Sequence, residues 1–218
     1  MNILLFGATG AAGGCVLTTC LASPVVDKVS AITRRSLPVS HAKLRTVLHQ
    51  DFLDYTKVAD SFDGVDACLF CLGVSVTQVS QEDAYRRITH DFTIAAARTL
   101  KARSPNAAFH YISGYGTHIR SRQMWARVKG QTELELIDLV GAICWRPAFI
   151  DTPPSESEPR LFAALKPVFR LLKPFPNWYV AGEDLGRAML QTTVEGLRGR
   201  LIENAEIRAI AARVDRDR

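Results

Sequence analysis

The stretch Gly7-Ala8-Thr9-Gly10-Ala11-Ala12-Gly13 directly follows an apolar run, residues 2–6, and begins a helical pattern over residues 11–22. A glycine-rich turn between a strand and a helix is typical of dinucleotide-binding folds. The first glycine permits the tight turn, the second lets the backbone approach a pyrophosphate, and the third lets helix and strand pack closely. The helix N-terminus directs free N–H groups and its positive dipole end at the phosphates. We therefore predict a dinucleotide site that includes Gly7, Thr9, Gly10, Ala11, Ala12 and Gly13.

Short apolar runs alternate with helical patterns along most of the chain, which predicts βαβ units and a parallel sheet. The predicted strands cover residues 2–6, 28–33, 44–48, 65–71, 107–113, 141–145 and 200–203. The predicted helices cover residues 11–22, 81–103, 160–172 and 182–195, with a further helix that Ser121 caps. The predicted fold class is α/β, a doubly wound parallel sheet (Rossmann fold), in one domain over residues 1–218.

The C-terminal third differs from the rest of the chain in its frequent prolines and its charged end. Prolines interrupt the pattern repeatedly between residues 151 and 176, so we interpret residues 151–178 as a lid or substrate-side insertion. The charged end, residues 208–218, is predicted to fray.

Composition and charge exclude several classes of protein. With 47% hydrophobic and 22% charged residues, the 218-residue chain is typical of globular proteins. No apolar run reaches the roughly 18 residues that a membrane span needs. The apolar start lacks a basic region, so we predict no signal peptide and expect a cytoplasmic protein. The net charge is +5, but the basic residues are scattered, so an anionic ligand is favoured over nucleic acid.

The five cysteines do not suggest a metal or redox site. Cys68 and Cys71 have the spacing of such sites, but residues three apart on a strand point to opposite faces. No second pair or histidine cluster accompanies them, so we interpret all five as small core residues.

The choice of cofactor should depend on the end of the second strand. NAD-binding proteins usually carry an acidic residue there for the ribose 2′-hydroxyl, but this chain has Arg34 and Arg35. Guanidinium groups suit a 2′-phosphate, so we predict NADP, with NAD less favoured. The alternative is that both arginines are solvated loop residues. Asp51 and Phe52, after the third strand, are predicted to meet the adenine.

With these residues in place, the chain resembles atypical members of the short-chain dehydrogenase superfamily, nearest to the Tat-interacting-protein-like oxidoreductases. The resemblance covers residues 1–150 well and the remainder loosely. It depends on the glycine turn, on the motifs that close the fourth to sixth strands, and on one lysine in a helix. These motifs are Cys71-Leu72-Gly73, Ser113, Lys129-Gly130 and Arg146-Pro147. The resemblance implies cofactor contacts from Cys71, Leu72, Gly73, Ser113, Lys129 and Pro147.

The resemblance also implies a catalytic arrangement, with one departure. Ser113 would hydrogen-bond the reacting oxygen and Lys129 would hold the nicotinamide ribose. The family's catalytic tyrosine, four residues before the lysine, is replaced by Trp125, whose indole N–H donates hydrogen bonds but does not titrate. Tyr115 is the nearest replacement in sequence, and His118 is next. Asp91 occupies the place where many members carry asparagine, as in the Tat-interacting-like branch.

Three functions remain open at this point. The first is an NADP-dependent oxidoreductase that acts on a small carbonyl-type substrate and is weak because of Trp125. The second is a non-catalytic module that senses NADP or binds a protein partner. The third is an isomerase like the nucleotide-sugar epimerases, for which 218 residues leave little room for a substrate domain. Residues 151–176, which would contact the substrate, carry no motif that identifies it. The sequence leaves the oligomeric state open between monomer and dimer.

Overall fold

Seven parallel strands form the central sheet of the computed structural model, which describes residues 1–153 and 160–216. The strands of the described chain are β1 (Asn2–Phe6), β2 (Lys28–Thr33), β3 (Leu44–Leu48), β4 (Ala67–Phe70), β5 (Ala108–Ile112), β6 (Ile143–Arg146), β7 (Phe149–Asp151), β8 (Tyr179–Ala181) and β9 (Arg200–Glu203). The order in the sheet is β3-β2-β1-β4-β5-β6-β9. It reverses direction next to β1, and α/β folds of this type bind ligands at such a point.

Helices cover both faces of this sheet, as expected for parallel strands joined by crossover connections. The helices are α1 (Ala11–Ala22), α2 (Glu82–Arg86), α3 (Phe92–Arg103), α4 (Met124–Val140), α5 (Arg160–Arg170), α6 (Gly182–Val194) and α7 (Asn204–Arg216). A 3-10 helix covers Thr56–Phe62, and a π-helical segment, Arg87–Asp91, joins α2 to α3. The predicted α/β fold with a doubly wound parallel sheet is confirmed.

The alternation of side chains along β1 divides the core into two layers. Ile3 and Leu5 pack on the side that α1, α6 and α7 cover, whereas Leu4 and Phe6 pack on the side of α3 and α4. Phe6 pairs with Ile32 of β2 and with Phe70 of β4. The register therefore brings the carboxyl ends of the three strands to one edge, where the glycine turn begins.

The cysteines are free thiols distributed through this core. Cys68 lies in the layer of Phe6, while Cys71 contacts the opposite layer. The two sulfurs thus point to opposite faces, as strand geometry requires. Burial raises the pKa of the Cys68 thiol, which keeps it protonated.

A second, two-stranded sheet flanks the segment predicted as an insertion, residues 151–178. Strands β7 and β8 pair in parallel, with Phe149 opposite Tyr179 and Asp151 opposite Ala181. Three-residue strands are too short to show a periodic pattern, so the sequence did not predict them. Residues 154–159 of the predicted lid lie outside the described residues, and the single domain and the lid remain predictions.

The prediction for the C-terminus was wrong. Helix α7 continues to Arg216, with Ile207, Ile210 and Ala211 buried. These side chains recur at helical spacing on one face of α7, and α7 packs against α6. Residues 217–218 lie outside the described part of the chain.

The expected cap of the fourth long helix was also wrong. Helix α4 begins at Met124 with Gln123 as its N-cap, rather than Ser121. The Ser121 hydroxyl oxygen instead accepts a hydrogen bond from the Gln123 N–H at 3.1 Å, within the preceding turn.

We expect stability to fall at acidic pH because of the buried His110. Trp145 Nε1 donates to His110 Nδ1 at 3.2 Å, and Thr193 Oγ1 lies 3.0 Å from Nε2. Burial, with a smaller contribution from Arg198, lowers the pKa of His110 to about 3. The unfolded chain binds this proton below about pH 6.5 and the folded chain does not. The free energy of unfolding should therefore decrease by up to ~1.4 kcal/mol per pH unit from pH 6.5 towards 3.

Urea unfolding of the native protein and of His110→Gln across pH 7.5 to 4.5 measures this contribution. The variant should lose part of the pH dependence, whereas His41→Gln, at an exposed site, should retain it. Equal pH dependence in all three proteins would contradict the assignment to His110.

Candidate functional site

The glycine turn connects β1 to α1 through a backbone that only glycine allows at two positions. Gly7 has φ +77°, and a Cβ there would lie 2.6 Å from the Cys71 carbonyl carbon and oxygen. A Cβ on Gly13 would overlap the Gly7 carbonyl oxygen. These two glycines therefore let the ends of β1, β4 and α1 meet, and a side chain at either position would disrupt the turn.

Gly10 has a different role in the same turn. It is the N-cap of α1, in extended conformation, and a Cβ there would lie 3.3 Å from the Gly7 carbonyl oxygen. Its carbonyl accepts the first hydrogen bond of the helix from Gly14, at 2.8 Å. The N–H groups of Ala11, Ala12 and Gly13 precede this bond, so they are available to an anion. A Cβ at Gly10 would need the Gly7 carbonyl to shift by only a few tenths of an ångström, far less than at Gly7 or Gly13. The absence of a side chain at Gly10 therefore suits the close approach of a ligand.

A cavity of about 1030 Å³ adjoins this turn. Thr9, Gly10 and Ala11 line it from the turn, and Arg35 lines it from the loop after β2. Asp151 is among the residues that line the far side. The structure thus brings together the predicted phosphate-binding residues and one of the two predicted arginines.

Arg34 and Arg35 are exposed and lie at the carboxyl end of β2. Thr33 Oγ1 donates to the Arg35 carbonyl oxygen at 3.0 Å, and Gln50 Nε2 donates to the Arg34 carbonyl oxygen at 2.8 Å. These two bonds fix the backbone of Arg34 and Arg35 and do not involve their guanidinium groups. Within residues 1–153 and 160–216, neither guanidinium forms an ion pair, so both are available to an external anion.

The two residues predicted to meet the adenine differ in exposure. Asp51 is exposed, and one of its carboxylate oxygens accepts the Leu53 N–H at 3.0 Å. Phe52 is only 4% exposed, and its ring packs on Phe6, Tyr55 and Phe92. The Phe52 ring therefore belongs to the core, and an adenine contact remains a prediction for Asp51 and for the Phe52 backbone.

The loop after β4 lies beside the glycine turn. The Cys71 N–H donates to the Phe6 carbonyl oxygen at 3.1 Å, and the Cys71 carbonyl faces Gly7. Leu72 is half-buried and Gly73 is exposed at the same edge of the sheet. Their contact with a cofactor remains a prediction, which this position allows.

Ser113 follows β5, and its hydroxyl is directed into the protein. It donates to Glu133 Oε1 at 2.5 Å and also lies 3.0 Å from the Trp145 carbonyl oxygen. Glu133 is buried and forms a bidentate pair with Arg146, at 2.9 and 2.7 Å. A serine whose proton is given to a carboxylate has only its lone pairs left for a substrate.

Lys129 lies on α4, one turn before Glu133. Its ammonium donates to the Ser113 carbonyl oxygen. A Cβ on Gly114 would lie 3.8 Å from Lys129 Nζ and 4.0 Å from the Pro147 carbonyl oxygen. Burial lowers the pKa of Lys129 to about 8, although the Glu133 carboxylate acts in the opposite direction. Ser113, Lys129 and Pro147 thus lie close together, and their contact with a cofactor remains a prediction.

The two side chains considered for proton transfer lie in different surroundings. Trp125 is half-buried, and the edge of its ring would lie 3.7 Å from a Cβ on Gly116. Tyr115 is exposed, and its ring packs on Trp178. His118 is exposed, and its Nδ1 accepts the Arg120 N–H. Proton transfer by Tyr115, or by His118 in its place, stays a prediction.

Asp91 ends the π-helical segment that precedes α3. The buried His90 lies between two carboxylates, with Nδ1 2.7 Å from Asp91 Oδ1 and Nε2 2.8 Å from Glu135 Oε2. Asp91 is thus tied to α4 through His90 and Glu135. Sequence reasoning did not single out His90, since a lone histidine carries no spacing signal.

Two further residues of the site were not predicted. Glu133 could have been found, since it follows Lys129 by four residues and so shares its helical face. Trp178 could not, because nothing local indicates that it meets Tyr115.

No group of three or more histidine, cysteine, aspartate or glutamate side chains within the described residues could hold a metal ion. No helix in that part of the chain is both long and apolar enough to cross a membrane.

Comparison with curated proteins finds mitochondrial relatives whose names state no activity. The chain is 24% identical to the protein fmp52, mitochondrial, of Emericella nidulans, over 94% of this chain and 92% of the relative. It is 31% identical to FMP52 of Kluyveromyces lactis, over 64% of this chain and 62% of that protein. No family model matches the chain.

These relatives overturn the expected location. They are named as mitochondrial proteins, so the expectation of a cytoplasmic protein was wrong. Bulk composition does not distinguish the cytosol from the mitochondrion, so it could not support that expectation.

Solved structures share the fold at low sequence identity. A dTDP-glucose 4,6-dehydratase from Streptomyces venezuelae with NAD bound has a TM-score of 0.71 at 16% identity, over 98% of this chain and 80% of that chain. A UDP-N-acetylglucosamine 4-epimerase from Methanobrevibacter ruminantium has a TM-score of 0.70 at 16% identity, over 92% and 75%. The chain therefore has the Rossmann fold of these dehydratases and epimerases, which is the fold that the resemblance to short-chain dehydrogenases implied.

Proposed function

We propose that this protein is an NADP-dependent oxidoreductase of the short-chain dehydrogenase type that reduces a carbonyl-type substrate. The observation that carries the proposal is the position of Arg35, which forms no ion pair within the described residues, on the cavity that the N-terminus of α1 also lines. Arg35 and the turn residue Gly10 line one cavity, so a dinucleotide can contact both. The structural neighbours solved with NAD bound support a nicotinamide dinucleotide, and the arginines favour the form with a 2′-phosphate.

The residues present fit such a cofactor along its length. The N–H groups at the start of α1 would hold the pyrophosphate, and Arg34 and Arg35 would hold the 2′-phosphate. Lys129 would bond the nicotinamide ribose at the other end. When bound, the reduced cofactor supplies a hydride, and the protein's part is to hold and orient it.

The replacement of tyrosine by Trp125 lowers the expected rate. Loss of a positioned acid typically removes ~10²–10⁴ of rate, which still leaves measurable turnover. The same replacement, together with the commitment of the Ser113 proton to Glu133, favours the second candidate function, a module that binds NADP without turnover. An isomerase on a nucleotide-linked substrate ranks last.

Cofactor preference tests the proposal directly. NADPH should bind more tightly than NADH. Replacing both Arg34 and Arg35 by alanine should reduce the ratio of the NADH and NADPH dissociation constants about 10- to 100-fold, which is the contribution expected of charge-assisted hydrogen bonds. Isothermal titration calorimetry with both cofactors measures the two affinities. Arg45→Ala, at an exposed arginine in the first half of β3, is the matched control and should leave the ratio unchanged. Equal affinities of the native protein for the two cofactors would contradict NADP specificity.

A further inference from the structure

Two large aromatic rings are exposed together beside the expected reaction centre. Tyr115 is 48% exposed and Trp178 is 46% exposed, and their ring centroids lie 5.0 Å apart. Hydrogen bonds fix both backbones, since the Tyr115 N–H donates to the Pro147 carbonyl oxygen at 2.8 Å and the Trp178 carbonyl accepts the Phe149 N–H at 3.1 Å. Within the described chain, neither the Tyr115 hydroxyl nor the Trp178 indole N–H has a hydrogen-bond partner. The pair is a fixed, apolar surface that faces outward.

This aromatic pair adjoins the residues expected to flank the nicotinamide. Gly114 immediately precedes Tyr115, and the Cβ position of Gly114 lies 3.8 Å from Lys129 Nζ. Leu171 and Phe175, in the segment that precedes Trp178, are also more than half exposed. Tyr115 is thus one residue from the position that adjoins Lys129, near which a hydride acceptor must lie in an oxidoreductase of this type.

The absence of the tyrosine acid points to the chemical class of that compound. Hydride transfer to an aliphatic ketone gives an alkoxide, which is about as strong a base as hydroxide and needs a proton from a positioned acid. Hydride transfer to a quinone gives a phenolate, whose conjugate acid has a pKa of about 10, like tyrosine. Water can protonate a phenolate without help. The replacement by Trp125 therefore costs little for a quinone and much for an aliphatic ketone.

We propose that the substrate is a quinone-like aromatic carbonyl compound, held against the rings of Tyr115 and Trp178. This inference rests on the proposed function. The C4–H bond of the reduced nicotinamide breaks, and its hydride forms an O–H bond on one quinone oxygen. The ring becomes aromatic, and the second oxygen becomes a phenolate that takes one proton from water. One quinone, one NADPH and one proton thus give one hydroquinone and one NADP⁺.

Binding can be tested without the cofactor. Menadione should quench the tryptophan fluorescence of the native protein in a saturable way. Trp178→Phe should lose more of this quenching than Trp125→Phe, because Trp178 forms the proposed surface, while Trp145 is buried in the core. Tyr115→Ala should weaken menadione binding about tenfold, the upper range for an aromatic pair. Val194→Ala, at an exposed apolar residue at the end of α6, is the matched control and should bind like the native protein.

Turnover with NADPH provides the second test. The native protein should reduce menadione with a kcat/KM at least about 100-fold above that for 2-butanone, the scale of a missing acid. Trp178→Ala should raise KM for menadione more than it lowers kcat. Trp125→Tyr should raise turnover of 2-butanone at least about tenfold, and by a larger factor than turnover of menadione. Tyr115→Phe keeps the ring and should retain more menadione turnover than Tyr115→Ala, whereas it would destroy activity if the Tyr115 hydroxyl were the acid.

Several results would overturn the inference. One is menadione binding that Tyr115→Ala leaves unchanged, and another is a preference of the NADPH-loaded protein for 2-butanone. A third is a dimer, by sedimentation, in which Trp178 is shielded from acrylamide and which Trp178→Ala dissociates, since a second copy would then cover the aromatic pair. Failure of NADPH to bind in calorimetry would instead contradict the proposed function, while the menadione titration of the cofactor-free protein still reports on the aromatic pair.

Discussion

Replacing Gly10 by valine is expected to abolish NADPH binding while the fold remains intact. The Gly10 Cβ position is 3.3 Å from the Gly7 carbonyl oxygen, so the turn itself can adjust to a side chain. The γ-methyl groups of valine, however, would occupy the space in front of the Ala11 and Ala12 N–H groups. An affinity loss of at least about 100-fold is expected, equivalent to ~2.7 kcal/mol.

Calorimetry with NADPH measures this loss, and circular dichroism and thermal melting check the fold. Ala22→Val, at the exposed C-terminal end of the same helix, is the matched control and should bind like the native protein. Gly13→Ala, by contrast, should lose the fold itself, because the alanine Cβ would overlap the Gly7 carbonyl oxygen. Unchanged NADPH binding by a folded Gly10→Val protein would place the site elsewhere.

Replacing Glu133 by glutamine should destabilise the protein severely. The Glu133 carboxylate is buried, and it accepts the Ser113 hydroxyl proton and both arms of the Arg146 guanidinium. Glutamine has nearly the same volume but lacks the charge, so it leaves Arg146 with only Glu203, whose side chain is exposed. Removing one partner of a buried ion pair typically costs ~3–5 kcal/mol.

Urea unfolding at neutral pH measures this cost as a change in the free energy of unfolding. Glu206→Gln is the matched control, because Glu206 also pairs with an arginine, Arg200, at 2.9 Å but near the surface. Loss of this surface ion pair should lower the free energy of unfolding by less than about 1 kcal/mol. A similar, small change in both variants would show that the Ser113–Glu133–Arg146 network contributes little to stability.

The sequence alone predicted the first half of the sheet with correct bounds. Strands β1, β2 and β3 and helix α1 begin and end where the local pattern placed them. Their signals are local, since an apolar run, a glycine turn or a helical period is visible within a dozen residues. The Rossmann fold follows from these signals because alternating strands and helices have few allowed topologies.

Only the tertiary structure decided how the side chains of the candidate site are directed. Ser113 was placed correctly at the end of β5, but its hydroxyl points to Glu133, which is 20 residues away in sequence. Phe52 was placed correctly after β3, but its ring turns into the core. Orientation depends on which partners pack from distant elements, and no spacing rule within one segment contains that information.

Association between distant segments was likewise decided by tertiary contacts. Tyr115 meets Trp178 only because β7 and β8 pair and carry the turn before β8 to the loop after β5. The sequence determined the glycine turn, because its geometry is set by Gly7, Gly10 and Gly13, which are at most six residues apart. The substrate side was decided by packing, because its residues come from loops that no local pattern joins.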